Sequence, residues 1–154
     1  MLQPLQFRYS INSALLGMLL PLVFMTITFN NLRYSYLSHY NFTWIFIAVA
    51  DLLFISYSVF ILIKRFIPAA QGHIALELNE QGINDYIRNI VIDWSYVDNL
   101  ALEYGRNAAK LIVSLNSETE YGTEVVIRLR WIQGRDQEIF DEAYAYFERV
   151  NAIK

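Results

Sequence analysis

The fold is decided by two apolar stretches, Ile11–Phe29 (INSALLGMLLPLVFMTITF) and Phe42–Ile63 (FTWIFIAVADLLFISYSVFILI). As helices they would be roughly 28 and 33 Å long, and the hydrocarbon core of a bilayer is about 30 Å thick. Asp51 is the one Asp, Glu, Lys or Arg in either stretch. Because hydrocarbon offers the backbone no hydrogen-bond partner outside a helix or a barrel, we expect a two-helix transmembrane hairpin.

The charges separate this hairpin from the rest of the chain. Residues 1–68 carry a net charge of +3, whereas residues 69–154 carry eight Lys and Arg against fourteen Asp and Glu, a net charge of −6. We therefore predict a hairpin domain, residues 1–67, and a polar domain, residues 68–154. An acidic domain is repelled by phosphates, so we expect it to bind neither nucleic acid nor anionic lipid headgroups. The chain has no cysteine, which excludes a disulfide framework and a thiolate metal site.

Basic residues also predict the orientation of the hairpin. Arg8 precedes the first helix and Lys64-Arg65 close the second, while the connection Asn30–Asn41 contains Arg33 alone. Positive residues favour the cytoplasmic side of a membrane. We therefore expect a multi-pass protein with both termini in the cytoplasm and the connection outside.

Asp51 lies near the middle of the second stretch, where an acidic side chain costs roughly 2.5–3.5 kcal/mol on insertion scales. Pro21 lies at the matching depth of the first helix and cannot donate to the Gly17 carbonyl. A protonated Asp51 that donates to this carbonyl would satisfy both groups, and Gly17 would let the helices approach closely. Three interpretations of Asp51 stay open: a structural contact between the helices, a contact with a partner's membrane helix, and a role in transport.

After Pro68 the pattern changes to the alternation typical of antiparallel strands. Strands are expected at 74–78, 83–86, 90–92, 100–104, 111–115 and 125–131, turns at 79–82 and 105–107, and a polar loop at 116–124. A helix is expected from Asp136 as its N-cap, because the apolar residues from Ile139 to Val150 recur every three or four positions. The expected fold is thus α+β: a membrane hairpin followed by an antiparallel half-barrel that one C-terminal amphipathic helix closes.

The run Leu76–Ile83, followed by Ile90–Val97, combines a Gly-Ile pair after a turn with a later Ile-Asp-Trp. It resembles the start of bacterial PH-like domains, in which the Trp lies on a short helical turn against the core. Such domains commonly follow a two-helix membrane hairpin and belong to families of largely unassigned function. The resemblance implies a PH-like domain at the bacterial inner membrane, with Trp94 as a core anchor rather than a ligand-stacking residue.

The sequence contains no catalytic triad, paired-carboxylate motif, phosphate-binding glycine loop or metal-ligand cluster. We therefore expect a non-enzymatic interaction or scaffold module with no cofactor, which contacts the bilayer and another membrane or cytoplasmic protein. The alternatives are an accessory or immunity subunit that binds a larger complex or a toxin through the hairpin and, third, a lipid or ligand sensor. Arg128 and Arg130 would share one strand face, either to contact a peptide or an anion or in ordinary solvated ion pairs.

Overall fold

The computed structural model describes residues 3–37, 43–106 and 108–153. The contacts divide the chain into two units: Ile11–Gln71, and Met1–Ser10 together with Gly72–Lys154. The described residues before the hairpin, 3–10, therefore group with the C-terminal part of the chain, whereas the sequence analysis placed them in the domain 1–67. The predicted connection Asn30–Asn41 lies partly outside the described residues.

The unit Ile11–Gln71, the hairpin unit, is helical over residues 11–37 and 43–70. It contains α1 (Ile11–Leu37), α2 (Thr43–Ile61), a π-helical turn (Leu62–Phe66) and α3 (Ile67–Ala70). Helix α1 continues beyond the apolar stretch, where the side-chain amides of Asn30 and Asn31 donate to carbonyls one turn back. In the π-helical turn the Ile67 amide donates to the Leu62 carbonyl, and the next residue, Pro68, has no amide to donate.

Two spans of this unit are long and apolar enough to cross a membrane. They are Ile11–Asn31, with a mean hydropathy of 1.8, and Ile45–Ala70, with a mean hydropathy of 2.4. Large apolar side chains are exposed along both, among them Leu20 at 64%, Phe46 at 73% and Leu53 at 66%. A helix that is apolar all round and yet exposed differs from the core helix of a soluble domain, which buries such residues.

The second unit, the globular unit, contains seven strands among the described residues. An antiparallel sheet of four has the order β1-β2-β3-β4, a second of three has the order β5-β6-β7, and the two do not close into a barrel. The strands are β1 (Leu5–Arg8), β2 (Ile74–Leu78), β3 (Gly82–Asp85), β4 (Ile90–Asp93), β5 (Val97–Tyr104), β6 (Ala109–Thr119) and β7 (Gly122–Arg128). Helix α4 (Asp136–Ile153) follows them, as the apolar periodicity predicts.

Strand β1 precedes the hairpin in the chain but pairs with β2, which follows it. Phe7 lies opposite Leu76 and is buried in the core. Directly after β1, the Tyr9 amide donates to the His73 carbonyl over 3.2 Å, and the Ser10 amide donates to the Trp131 carbonyl over 2.8 Å. The sequence analysis missed β1 because four residues are too few to establish a period, and its partner strand lies on the far side of the hairpin.

Two expectations for the end of the second sheet are wrong. The polar segment 116–124, expected to be a loop, is largely strand, because β6 runs to Thr119 and β7 starts at Gly122. Polar residues form strands here because most side chains of this hairpin tip face solvent, so no apolar alternation is required. The last strand was expected to reach Trp131, but it ends at Arg128 and Leu129–Trp131 form a 3₁₀ turn.

The core of the globular unit lies between the sheets and helix α4. Alternate residues of β6, including Leu111 and Val113, are fully buried. Helix α4 contributes one face to the same core, with Ile139, Ala143, Tyr146, Phe147 and Val150, and it contacts β5. The turn between β2 and β3 requires glycine, because a Cβ at Gly82 would lie 2.0 Å from the Ile92 carbonyl oxygen.

Candidate functional site

Asp51 lies against helix α1, where its carboxylate and the Thr28 hydroxyl form a hydrogen bond. Nearby, the rings of Phe24 and Phe54 stack with their centroids 5.5 Å apart, which defines the antiparallel register of the two helices. Gly17 precedes Thr28 by eleven residues, about 16 Å along the helix axis. Asp51 therefore pairs with Thr28 and not with the Gly17 carbonyl, because α1 extends past Phe29 and shifts the register from the one assumed in the sequence analysis.

The Thr28 hydroxyl also lies 2.9 Å from the Phe24 carbonyl and 3.1 Å from the Met25 carbonyl. A hydroxyl has one proton to donate and two lone pairs that accept. The Thr28 hydroxyl thus lies within hydrogen-bond distance of three acceptors, the Asp51 carboxyl oxygen and two backbone carbonyls, for its one proton.

Gly17 and Pro21 are both buried, and so is Ala14, one turn before Gly17. Spacings of three and four place these small residues on one face of α1. In the register of the Phe24–Phe54 pair, Gly17 comes level with Ile61 of α2, which is itself 2% exposed. The small residues therefore form the face on which the two helices pack closely.

Trp94 lies on the 3₁₀ turn Trp94–Tyr96 that follows β4 and is 2% exposed. Its indole N–H donates to the Asn79 carbonyl over 2.7 Å, and its backbone amide donates to the Gln81 carbonyl. Its ring stacks on Tyr146 of α4 at 6.0 Å. Trp94 thus connects the β2–β3 turn to the helix, and no face of its ring is left open for a ligand.

Four basic side chains line a groove of about 430 Å³ at one end of the second sheet. This basic groove is formed by Arg106, Lys110, Arg128, Arg130 and Trp131, with the turn at Gly105. Half of the eight Lys and Arg residues of the segment 69–154 thus lie around one groove, in a segment whose net charge is −6.

The sheet brings two of these cations to directly opposite positions. Lys110 on β6 is opposite Arg128 on β7, and on its other side it is opposite Glu103 on β5. The Lys110 ammonium lies 3.7 Å from a Glu103 carboxylate oxygen. Like charges directly opposite each other destabilise a sheet, so this pair is unfavourable unless a negative group lies between or beside the two side chains.

Turns supply the other two cations. Arg130 lies on the 3₁₀ turn after β7, with its guanidinium carbon 5.1 Å from the centre of the Trp131 ring, a cation–π contact that holds the side chain. Arg106 lies in the β5–β6 turn, where a Cβ at Gly105 would come 3.0 Å from the Ala108 carbonyl oxygen and 3.4 Å from the Lys110 side chain. Arg128 and Arg130 therefore line the same groove, although they do not share a strand face as expected.

Within the part of the chain that the structure describes, Arg106, Arg128 and Arg130 form no ion pair with a carboxylate within 4.0 Å. Both interpretations of Arg128 and Arg130, an anion or peptide contact and ordinary solvated ion pairs, stay predictions. The sequence analysis missed Trp131 as a member of the groove, because it placed this residue on the strand rather than on the turn that follows.

Two further grooves of the globular unit have more acidic than basic side chains in their lining. One, of about 470 Å³, lies between β1 and α4 and is lined by Asp141, Glu142, Tyr146 and Arg149, among others. The Tyr146 hydroxyl is buried without a hydrogen-bond partner, and burial raises the pKa of Tyr146, with smaller contributions from Glu80 and Glu77. The other groove, of about 370 Å³, lies beside β4 and includes Tyr96, Glu118 and Glu120.

No group of three or more His, Cys, Asp or Glu residues in the described ranges is placed to hold a metal ion. A comparison of the chain with family models, curated proteins and solved structures finds no significant match.

Proposed function

We propose that the chain is a non-enzymatic interaction or scaffold module, held at the bacterial inner membrane by a two-helix hairpin with both termini in the cytoplasm. The observation that carries this proposal is the pairing of β1 with β2. Residues before and after the hairpin belong to one sheet, so both ends of the hairpin must lie on the same side of any membrane that it crosses. An even number of crossings satisfies that condition.

We further propose that the globular unit is a PH-like domain with the hairpin inserted between its first and second strands. Support comes from the four-stranded and three-stranded antiparallel sheets and from the C-terminal helix that packs on them. The position of Trp94, on a short helical turn against the core, also fits the resemblance.

The interaction role rests on the surfaces that this architecture leaves open. Strand β4 ends the first sheet, and its Val91 is 65% exposed beside the exposed Tyr96. A partner's extended segment pairs with such an edge through main-chain hydrogen bonds. Insertion of the hairpin into the domain gives two covalent connections to the membrane, which would keep these surfaces at the bilayer without any affinity for lipid headgroups.

The alternative, an accessory or immunity subunit that binds through its hairpin, needs a different contact from the one first expected. Asp51 is paired with Thr28, and Gly17 and Pro21 are buried within the hairpin unit. A partner helix would therefore meet the exposed apolar faces, such as those of Phe46 and Leu53. The third candidate, a ligand sensor, is favoured by the basic groove.

Crosslinking in native membranes, followed by purification of the full chain in mild detergent and mass spectrometry, tests the proposal. We expect one stoichiometric protein partner, retained by Asp51→Leu and lost by Val91→Arg. Loss of the partner with Asp51→Leu but not with Val91→Arg would favour the accessory subunit. A chain that forms no stoichiometric crosslink in either background would contradict both protein-binding roles.

A further inference from the structure

We propose that the basic groove binds a soluble ligand that contains phosphate and carries at least two negative charges on it. This inference goes beyond the protein-binding role and does not depend on it. It rests on the grouping of Arg106, Lys110, Arg128 and Arg130 around one groove of about 430 Å³.

The arrangement has less negative than positive charge close to it. Three guanidinium groups without a carboxylate within 4.0 Å among the described residues and one ammonium lie together, with Glu103 as the acidic side chain next to Lys110 in the register, while Glu124 of the same face is four residues from Arg128 along β7. Glu103 is 3.7 Å from Lys110, on the side of β6 away from Arg128. An anion between Lys110 and Arg128 would remove the repulsion between these directly opposite cations, whose Cβ atoms are about 5 Å apart in such a pair.

Phosphate matches these donors better than an isolated carboxylate does. The planar guanidinium group binds a phosphate through two parallel hydrogen bonds, and a lysine adds a compact charge. Four cations around a small volume match an anion with several charges on neighbouring oxygen atoms. An acidic peptide in extended conformation spaces its same-face carboxylates about 7 Å apart, so that it would bring fewer charges into the groove.

Charge screening favours a dissolved ligand over a lipid surface. The Debye length at physiological salt is about 8 Å, so a ligand within the groove interacts mainly with the four cations and Glu103. A bilayer surface extends across the domain and also meets the acidic side chains that produce the net charge of −6. Each basic residue gains about 1 kcal/mol near an anionic leaflet, and the excess of acidic residues opposes this gain.

Titration calorimetry of the full chain in nanodiscs of zwitterionic lipid tests this site, with inorganic pyrophosphate as the probe. Hydrogen bonds to charged groups contribute about 1.5–3 kcal/mol, so Arg128→Gln should weaken binding by about tenfold or more. Glu103→Gln should strengthen it, by up to about fivefold. The matched control is Arg135→Gln, which removes the same charge from a side chain that is 85% exposed, beside Glu138 and outside the groove; it should leave binding unchanged.

Three results would overturn the proposal. The first is the absence of pyrophosphate binding to the wild-type chain, and the second is an equal loss in Arg128→Gln and Arg135→Gln. The third is groove-dependent binding of phosphatidylglycerol vesicles or of a glutamate-rich peptide without binding of pyrophosphate. Misfolding is separable from loss of the site, because Arg128→Gln removes a like-charge pair and should preserve the unfolding midpoint measured on the same samples.

Discussion

The two units place the same types of side chain in opposite environments. In the globular unit Phe7 and Leu111 are 9% and 0% exposed, whereas in the hairpin unit Phe46 and Leu53 are 73% and 66% exposed. Burial of apolar surface is the main favourable contribution to folding in water, so the globular unit can fold in water around its own core. The hairpin unit leaves its apolar surface exposed, and its two spans are long and apolar enough to cross a membrane.

The largest expected effect is on the stability of the globular unit, when one phenylalanine in each unit is replaced by alanine. Phe7→Ala should destabilise the globular unit by about 3–5 kcal/mol, because it removes a buried ring from β1 and leaves a cavity. Phe46→Ala, the matched control, should change the stability of the globular unit by less than about 0.5 kcal/mol. Chemical denaturation of the full chain in detergent, followed by tryptophan fluorescence, measures both changes.

Equal effects of the two substitutions would contradict the assignment of β1 to the globular core. The same assignment has a practical consequence. A fragment that begins near Ala69 would lack β1 and expose the edge of β2, so binding experiments require the full chain.

The introduction of one aspartate at an exposed position in each unit tests whether the exposed surface of the hairpin unit faces lipid. Leu53→Asp should hinder membrane insertion by roughly 2.5–3.5 kcal/mol, because a carboxylate near the centre of a membrane helix must leave water. Tyr104→Asp changes a residue of the globular unit that is 67% exposed, so it should leave insertion unchanged. The fraction of chain that integrates into microsomal membranes reports the difference, and full integration of Leu53→Asp would refute a lipid-facing position.

The sequence was sufficient for those features that repeat within a short segment. Apolar length predicted the two helices, alternation predicted β2 through β6, and the three-and-four spacing predicted α4. It was insufficient where the partner is remote or the pattern is short: β1 has four residues, and its pairing with β2 spans the whole hairpin. The Asp51–Thr28 pair was missed because the length of α1 fixes the register, and that length continues through polar residues after Phe29.

The candidate site was predicted in part for the same reason. Arg128 and Arg130 were identified from their charge, but their grouping with Arg106 depends on the β5–β6 turn reaching the end of β7. The net charge of residues 69–154 indicated an acidic surface. It could not indicate the basic groove, because a sum of charges contains no information on where the cations lie. Tyr146 was missed because a tyrosine has an apolar ring and a polar tip, so its residue type does not decide which face of an amphipathic helix it occupies.

Smaller effects concern one buried polar group in the globular unit and one partly buried polar group in the hairpin unit. In the globular unit the Tyr146 hydroxyl is buried without a partner, which costs about 1–3 kcal/mol. Tyr146→Phe should therefore raise the free energy of unfolding by about 1 kcal/mol. Equilibrium unfolding at neutral pH measures this change, and a loss of stability would show that the hydroxyl has a favourable contact.

The same substitution should alter the alkaline limit of stability. Burial, followed by Glu80 and Glu77, raises the pKa of Tyr146 in the folded chain, so the folded state holds its proton more tightly than the unfolded state. That contribution is present below about pH 10, the ordinary tyrosine value, and is lost as the pH rises through the folded-state pKa. Tyr146→Phe should lose less stability above pH 10 than the wild-type chain does.

In the hairpin unit the partly buried carboxyl group of Asp51 has a partner, Thr28, so its removal should be unfavourable. Asp51→Leu should weaken the contact between α1 and α2 by about 1 kcal/mol, a typical value for a hydrogen bond between membrane helices. Asp51→Asn retains an oxygen that accepts from Thr28 and should be close to wild type, whereas Thr28→Val should resemble Asp51→Leu. Dissociation of the two helices at increasing concentrations of denaturing detergent compares the variants. A wild-type profile for Asp51→Leu would show that the Asp51–Thr28 pair does not stabilise the contact between α1 and α2.

The central claim is that β1 and the chain after the hairpin lie together on one side of a membrane, in the cytoplasm. Because the chain contains no cysteine, single cysteines at Gln6, Ser38 and Glu120 provide a direct measurement with a membrane-impermeant maleimide. We predict that position 38 reacts in intact cells, and that positions 6 and 120 react after permeabilisation and not before. Labelling of position 6 and position 120 from opposite sides, or of all three from the same side, would contradict the account.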